Sequence, residues 1–343
     1  MKNYNIVHSI LIIVFTTIVI FITWYAIDIL LLTFAAILLA IFLRALKNLI
    51  QRVIHVPDSL SMVLVLGVII TIFSLMTILL APVVSDQIQN LTNDIPSAWD
   101  DLKQVLSSTL SLGPISTLYA KMNIQNLLPH GKNFLLQAAN LFSTTFGLIG
   151  SVLVFLVMGI YFAFDPNAYK VGFIKLISSS KQKKVSNTLD SIADILQWWI
   201  IGKIFSMFIV GFLTAIGLWF LNIPMALTLG LIAAILTFIP NIGPIISVIP
   251  AILVAFIQSP ITVIYVVLLY IVIQIIESYI ITPIIQGKII ALPPALVIFS
   301  QLIMGLLTGF LGLSLATPLL ATLSVIINKF YIKKNTVDDK RSD

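Results

Sequence analysis

Long apolar runs separated by short polar links set the pattern of this chain. Runs over 6–27, 29–43, 60–81, 141–164 and 198–221 are predominantly apolar, with Lys203 the one charge inside them, and several reach the roughly 20 residues that a helix needs to cross a hydrocarbon core about 30 Å thick. Lipid offers the backbone no hydrogen bonds, so only helices or closed barrels span it, and continuous rather than alternating apolarity selects helices. The first two runs are parted only around Asp28, which predicts a tight helical hairpin. The first run lacks a small-x-small cleavage pattern and is read as a retained span. A basic link, 44–58, follows the second run with Arg44, Lys47, Arg52 and His55, and closes on Pro57 and Asp58.

Two stretches differ in kind. Residues 83–140 carry Asp86, Asp94, Asp100, Asp101, Lys103, Lys121 and Lys132 among apolar residues such as Ile88, Leu91, Ile95, Trp99 and Leu102 at steps of mostly three or four. That spacing predicts a small helical insert outside the membrane, bent or broken at Pro96. Residues 165–197 hold Lys170, Lys175, Lys181, Lys183 and Lys184, and Val185, Leu189, Ile192, Leu196 and Trp199 mark one apolar face leading into the next run. The expectation there is a basic amphipathic helix lying at the membrane surface.

Beyond residue 221 the hydrophobicity is interrupted mainly by glycine and proline. Residues 222–258 are too many for one span and contain Pro240, Asn241, Gly243, Pro244 and Pro250, which predicts a hairpin with its tip near Asn241. Residues 295–328 repeat the design with Gly305, Gly309, Gly312 and Pro318. Paired Gly/Pro-interrupted segments point to a transporter binding site, because broken helices present free backbone groups and dipole ends inside the membrane. The competing reading is a pair of kinked, closely packed spanning helices.

Composition sharpens this picture. Of 343 residues 59% are hydrophobic and 9% charged, and the mean hydropathy is +1.12, a balance no water-soluble fold can bury. The formal charge of +6 is a topology signal rather than a nucleic-acid footprint. Short loops rich in Lys and Arg stay in the cytoplasm. With the N-terminus inside, every Lys and Arg except Lys103, Lys121, Lys132 and Lys203 falls on the inner face, so both termini are expected there. The same rule opposes the two hairpins, the first with its ends outward and the second with its ends inward. Cysteine is absent, which excludes thiolate metal sites and thiol nucleophiles. His8, His55 and His130 are scattered without metal-ligand spacing, and no cofactor is expected.

The candidate chemistry centres on Glu277, the sole glutamate of the chain. It lies in an apolar helix where Tyr270, Gln274, Glu277 and Ser278 share one face. A carboxylate in lipid costs at least about 2.5 kcal/mol on insertion scales, so such a residue usually faces a cavity or partner on an ion or proton route. The plainer alternative is an anchor near the inner interface, capped by Thr282 or paired with Lys288. Lys203 carries less weight as a partner to an intramembrane acid, because five residues after Trp198 its long stem can reach the inner headgroups.

Three stretches carry a family likeness: Phe238-Ile-Pro-Asn-Ile-Gly-Pro-Ile-Ile-Ser247, then Gln274-Ile-Ile-Glu277 leading to Thr282-Pro283 and Gly287-Lys288, then Gly309-Phe-Leu-Gly312 with Ala316-Thr-Pro318. In their order and spacing the C-terminal half resembles the autoinducer-2 exporter family, the PerM-like permeases. The resemblance implies a bacterial inner-membrane transporter. Members are linked to autoinducer-2 export and others to sodium or lithium exchange for protons. An uncharged furanose-like signal would need hydroxyl and amide contacts of the kind Asn241, Gln274 and Gln301 offer, whereas Glu277 suits a proton- or cation-coupled cycle.

The expected architecture is an all-α polytopic integral membrane protein with about eight transmembrane segments, two of them Gly/Pro-broken re-entrant-like hairpins, plus the extracytoplasmic insert. Its parts are N-terminal transmembrane helices (1–82), the insert (83–140), a transmembrane helix (141–164), the cytoplasmic basic segment (165–197), a C-terminal transmembrane core (198–330) and a cytoplasmic tail (331–343). The expected role is a gradient-coupled secondary transporter for a small solute or monovalent cation, with the bilayer as partner and a homo-oligomer left open. Glu277, Gln274, Ser278, Asn241, Gly243, Pro244, Gly309, Gly312 and Gln301 are its expected binding or coupling residues. An intramembrane enzyme is disfavoured, since the chain has no GxGD pair, HExxH helix or GxSG turn, and a GxxxxGK[ST] phosphate loop is also missing. A passive channel or membrane scaffold stays open.

Overall fold

The computed structural model describes residues 26–54, 56–75, 145–283 and 292–332, with isolated positions (14, 16, 17, 77, 78, 82 and 86) besides. Nearly all of the predicted 6–27 span and 83–140 insert therefore lies outside the described residues. Every regular element among those described is helical. In chain order they are α1 (Ile27–Val53), α2 (Asp58–Leu75), α3 (Thr145–Phe164), α4 (Pro166–Lys175), α5 (Ser179–Phe220), α6 (Ala226–Leu236), α7 (Ile242–Gln258), α8 (Pro260–Ile276) and α9 (Pro294–Ile327). Single π-helical turns extend α8 over Glu277–Ile281 and α9 over Asn328–Ile332.

Helices α1, α2, α5, α8 and α9 are each long and apolar enough to cross a membrane, and α3 with α4 forms a further apolar pair bent by 85°. Their outward faces carry large apolar side chains, including Ile70, Phe73, Phe208, Phe212 and Leu268. Water would not tolerate so continuous an apolar surface, whereas acyl chains solvate it. The protein is thus an all-α, multi-pass membrane protein in contact with lipid.

Two boundaries differ from the sequence expectation. Helix α1 runs on to Val53, so Arg44, Lys47 and Arg52 sit on its last turns and the basic link shrinks to the few residues before Asp58. The amphipathic stretch of 185–199 and the predicted fifth span form one helix of 42 residues. At 1.5 Å per residue it is about 63 Å long, twice the hydrocarbon thickness. No proline or glycine separates the two stretches before Gly202, and helical propensity carries straight through.

The chain divides into two compact units, each assembled from separate stretches. One takes Met1–His55, Ser151–Gln197 and Ile290–Asp343, and the other Val56–Gly150 and Trp198–Ile289. In the first unit α3 lies close to α1: a Cβ at Gly159 would stand 2.6 Å from Leu39 Cδ2. In the second, a core of Leu218, Ile223, Leu229, Ala251, Val254, Ala255, Val266 and Tyr270 joins α5 to α6, α7 and α8. Helices α5 and α6 cross almost backbone to backbone. A Cβ at Gly211 would lie 2.5 Å from Ala234 Cβ, and one at Gly230 would lie 2.6 Å from Ala215 Cβ. These reciprocal small-x-x-x-small pairs allow the close approach that holds membrane helices together without a hydrophobic driving force.

Candidate functional site

The site is built from α5 and α8. Pro260 starts α8 behind Ser259, whose hydroxyl accepts from Thr262 N at 3.3 Å. The helix then keeps α-helical geometry until Glu277, where it widens into a π turn. Such turns re-aim side chains and recur at functional positions. On α5, Lys203 and Ser206 are three residues apart and share a face. Ser206 Oγ donates to Glu277 Oε1 at 2.8 Å, and Lys203 Nζ lies 3.6 Å from the same oxygen. Gln274 Nε2 donates to Glu277 Oε2 at 3.0 Å and to Ser278 Oγ at 3.2 Å. Glu277 is 7% exposed and Lys203 8%.

The carboxylate is therefore buried, ion-paired and hydrogen-bonded on both oxygens. Desolvating a charge costs several kcal/mol, which is offset only by a close counter-charge and filled lone pairs, and this geometry supplies both. The sequence alone gives Lys203 little weight as the partner of this acid. Lys203 ends at Glu277 rather than at the headgroups, while Lys288, the alternative partner, lies outside the described residues. The readable signal was Lys203-x-x-Ser206, a polar pair on one face of an apolar helix.

Of the polar stripe on α8, Gln274, Glu277 and Ser278 come together as expected. Tyr270 turns elsewhere, its hydroxyl donating to Ser247 O on α7 at 3.3 Å.

The first predicted hairpin is present, with α6 and α7 as its arms and 237–241 as its turn. Asn241 adopts φ +65°, a conformation Asn tolerates better than most residues. Gly243 is required by space: a Cβ there would stand 1.8 Å from Leu236 O. Gly243 N donates to Ile239 O at 3.0 Å, and Ser247 Oγ donates to Pro244 O at 2.9 Å, so much of the turn's backbone is satisfied internally. Phe238 on this turn packs edge-to-face on Trp199 at 5.8 Å between ring centroids. Trp199 precedes Lys203 by one helical turn, so the Asn241 turn meets α5 one turn away from the ion pair.

The second hairpin is also present, although α9 runs through it as one element. Thr308 (φ −137°, ψ 16°) and Gly309 (φ 62°, ψ −141°) leave helical geometry. A Cβ at Gly312 would stand 2.4 Å from Met304 O, and Gln301 Nε2 reaches Thr317 Oγ1 at 3.5 Å. Residues 8 and 16 apart in a straight helix would be separated by about 12 and 24 Å. The chain folds back at Thr308–Gly309. Gln301 is fully buried between the arms. A cavity of about 390 Å³ opens beside this turn, lined by Ile27, Asp28, Leu307 and Thr308. Asp28, which the sequence suggested only as an interhelical break, brings a carboxylate to it.

Two broken-helix hairpins and a buried acid–base pair in a polytopic helical membrane protein are features that membrane permeases share. Comparison with known families then places the chain in one of them. Residues 10–332 match the AI-2E family transporter description, and because that covers nearly the whole chain, the chain belongs to this family. It is 24% identical over 290 residues to "Putative transport protein YueF" of Bacillus subtilis (strain 168), covering 81% of this chain and 77% of that protein. It is 31% identical over 183 residues to "Putative transport protein YrrI" of the same organism, covering 53% of this chain and 51% of that protein.

Proposed function

We propose that this chain is a gradient-coupled secondary transporter of the bacterial inner membrane, with both termini cytoplasmic and Glu277 as its coupling group. The observation that carries the reading is the Lys203–Glu277 pair, buried in apolar helices beside the Asn241 turn. Intramembrane ion pairs are costly and concentrate on ion and substrate routes. Family membership supports a transport role without catalysis.

A monovalent cation as the coupling or transported species has a specific observation in its favour. The Lys203 ammonium is itself a monovalent cation on a carboxylate whose other contacts are a hydroxyl and an amide. Withdrawal of Lys203 leaves an oxygen-lined position that sodium, lithium or a proton would neutralise. That cycle is an antiport when sodium or lithium and a proton take turns at Glu277 after Lys203 withdraws. An autoinducer-2-like solute draws less support, since Gln274 is engaged with Glu277 and Ser278, and Gln301 with Thr317.

The test is flux into proteoliposomes under imposed proton and sodium gradients, comparing sodium or lithium with autoinducer-2. Uphill cation movement driven by the proton gradient is expected. Downhill flux alone would replace the transporter with a channel, and absence of any flux would leave a scaffold.

A further inference from the structure

We propose that α4 is an interfacial anchor, its Tyr169–Phe173–Leu176 face immersed at the headgroup–acyl boundary of a bilayer leaflet that contains anionic phospholipid. The geometry begins at the end of α3. The apolar stretch Gly150–Phe164 meets Pro166–Lys175 at 85°. Spanning helices tilt on average about 20° from the bilayer normal, so a helix at right angles to one runs close to the membrane plane.

The bend is built from several parts. Arg44 Nη1 donates to Ala163 O at 3.2 Å, covering a carbonyl that the ending helix leaves open. Asp165 caps α4 by accepting from Ala168 N at 3.0 Å, and Pro166 occupies its first turn. Lys170 Nζ meets Asp190 Oδ1 of α5 at 2.5 Å and holds α4 from its other side.

The direction of the apolar face follows from one contact. Tyr169 packs edge-to-face on Phe162, two residues inside α3, with 4.8 Å between ring centroids. The side of α4 that carries Tyr169 is thus turned back toward the body of the span, which is the bilayer side. Phe173 and Leu176 follow at i+4 and i+7 on that face. Among the described residues this face stays largely open: Tyr169 is 48% exposed, Phe173 53% and Leu176 84%. Tyr161 and Phe164, at the end of α3, are exposed apolar side chains as well. Lys175 and Asn167 stand off this face, and the lysine is placed to reach lipid phosphate. A surface helix is expected within 165–197 from the face of Val185, Leu189, Ile192, Leu196 and Trp199, and α4 adds a second apolar face in the same segment.

The absence of native cysteine makes the test direct. Single spin-labelled cysteines at Asn167, Tyr169, Val171, Phe173 and Leu176 in the full-length protein, reconstituted in phosphatidylcholine vesicles with or without phosphatidylglycerol, report collisions with oxygen or with a water-soluble nickel chelate. Oxygen should dominate at 169, 173 and 176, and nickel at 167 and 171. Phosphatidylglycerol should deepen the three buried positions in the wild-type background and lose that effect in Lys175→Gln. Nickel access at all five positions would make the face aqueous and overturn the anchor. Oxygen dominance at all five would place α4 inside the hydrocarbon and overturn it equally. Insensitivity of the wild type to phosphatidylglycerol would remove the anionic lipid. Because 173 and 176 are labelled separately, misfolding of one variant leaves the other to decide.

Discussion

Lys203 Nζ on α5 and Glu277 Oε1 on α8 stand 3.6 Å apart, with each side chain only 9% exposed, although 74 residues separate them in the chain. Removing one member of such a pair strands the other charge in a low-dielectric site, at a cost of about 3–5 kcal/mol. Glu277→Gln or Lys203→Met alone should therefore lower folded yield and thermal stability in detergent. The double variant Lys203→Met/Glu277→Gln should recover most of that loss. Recovery of stability with uphill transport still absent, measured at matched amounts in the membrane, is the outcome expected of a coupling pair. Recovery of both would reduce the pair to an anchor.

The hairpin turns should separate two kinds of glycine. At Gly309 a Cβ meets open space, but φ 62° with ψ −141° is a conformation that glycine adopts far more readily than other residues, so Gly309→Ala should cost about 1–3 kcal/mol through backbone strain alone. At Gly312 a Cβ would stand 1.9 Å from Thr308 Oγ1 and 2.4 Å from Met304 O. Gly312→Ala should therefore be more damaging than Gly309→Ala, and removal of the hydroxyl in Thr308→Ala should relieve only part of the loss. Thermal unfolding of the purified proteins ranks them. Equal stability of all three variants would mean that the arms do not fold back at this point.

Much of this was legible from the chain alone, because Gly and Pro act locally. The tip near Asn241 and the break at Gly309 follow from which residues tolerate positive φ or close approach, and the structure has both. The end of the fourth apolar run at Phe164 was legible for the same reason, since Asp165-Pro166 stops one helix and caps the next. Helix continuity was harder to read. Charges at Arg44, Lys47 and Arg52 mark the end of the apolar run, but a helix continues through them as readily as through alanine. Least legible was the Lys203–Glu277 contact. It depends on how α5 packs on α8, which Gly217 sets by lying against Leu269, and no local pattern encodes that distance.

Helix crossing supplies a prediction of its own. Gly230→Leu should break the α5–α6 contact, because a Cβ alone already stands 2.8 Å from Gly211 O and 2.9 Å from Ala215 Cα, atoms of backbone that cannot rotate away. Gly217→Ala meets only the tip of Leu269, a flexible side chain, and should be milder by about 1 kcal/mol or more. Protease resistance of the reconstituted proteins distinguishes them, and a harmless Gly230→Leu would contradict the close crossing.

Orientation is open to a simple labelling experiment. The distribution of Lys and Arg predicts that residues 83–140 face outward and that the 165–197 segment faces the cytoplasm. A cysteine replacing Ser107 should react with an impermeant maleimide on intact cells, and one replacing Ser186 should react only after the inner face is opened. The reverse pattern would invert the whole topology.

Alternating access makes the sharpest demand on the two turns. A transporter's broken helices must expose their turns to water in at least one state, because backbone groups freed there need a partner that lipid cannot offer. In the first hairpin the turn is largely satisfied internally, through Gly243 N to Ile239 O and Thr237 Oγ1 to Ala233 O, so its exposure must come from movement of the whole hairpin against Trp199. In the second, the cavity beside Thr308 already opens the turn. A cysteine at Thr308 should therefore react rapidly with a small polar thiol reagent under all conditions. One at Asn241 should react slowly at rest and several-fold faster when a proton or sodium gradient is imposed. Loss of that gradient response in the Lys203→Met/Glu277→Gln background would tie the motion to the ion pair one turn along α5. A response unchanged by the double variant would separate the moving turn from the pair and leave Glu277 without a coupling role.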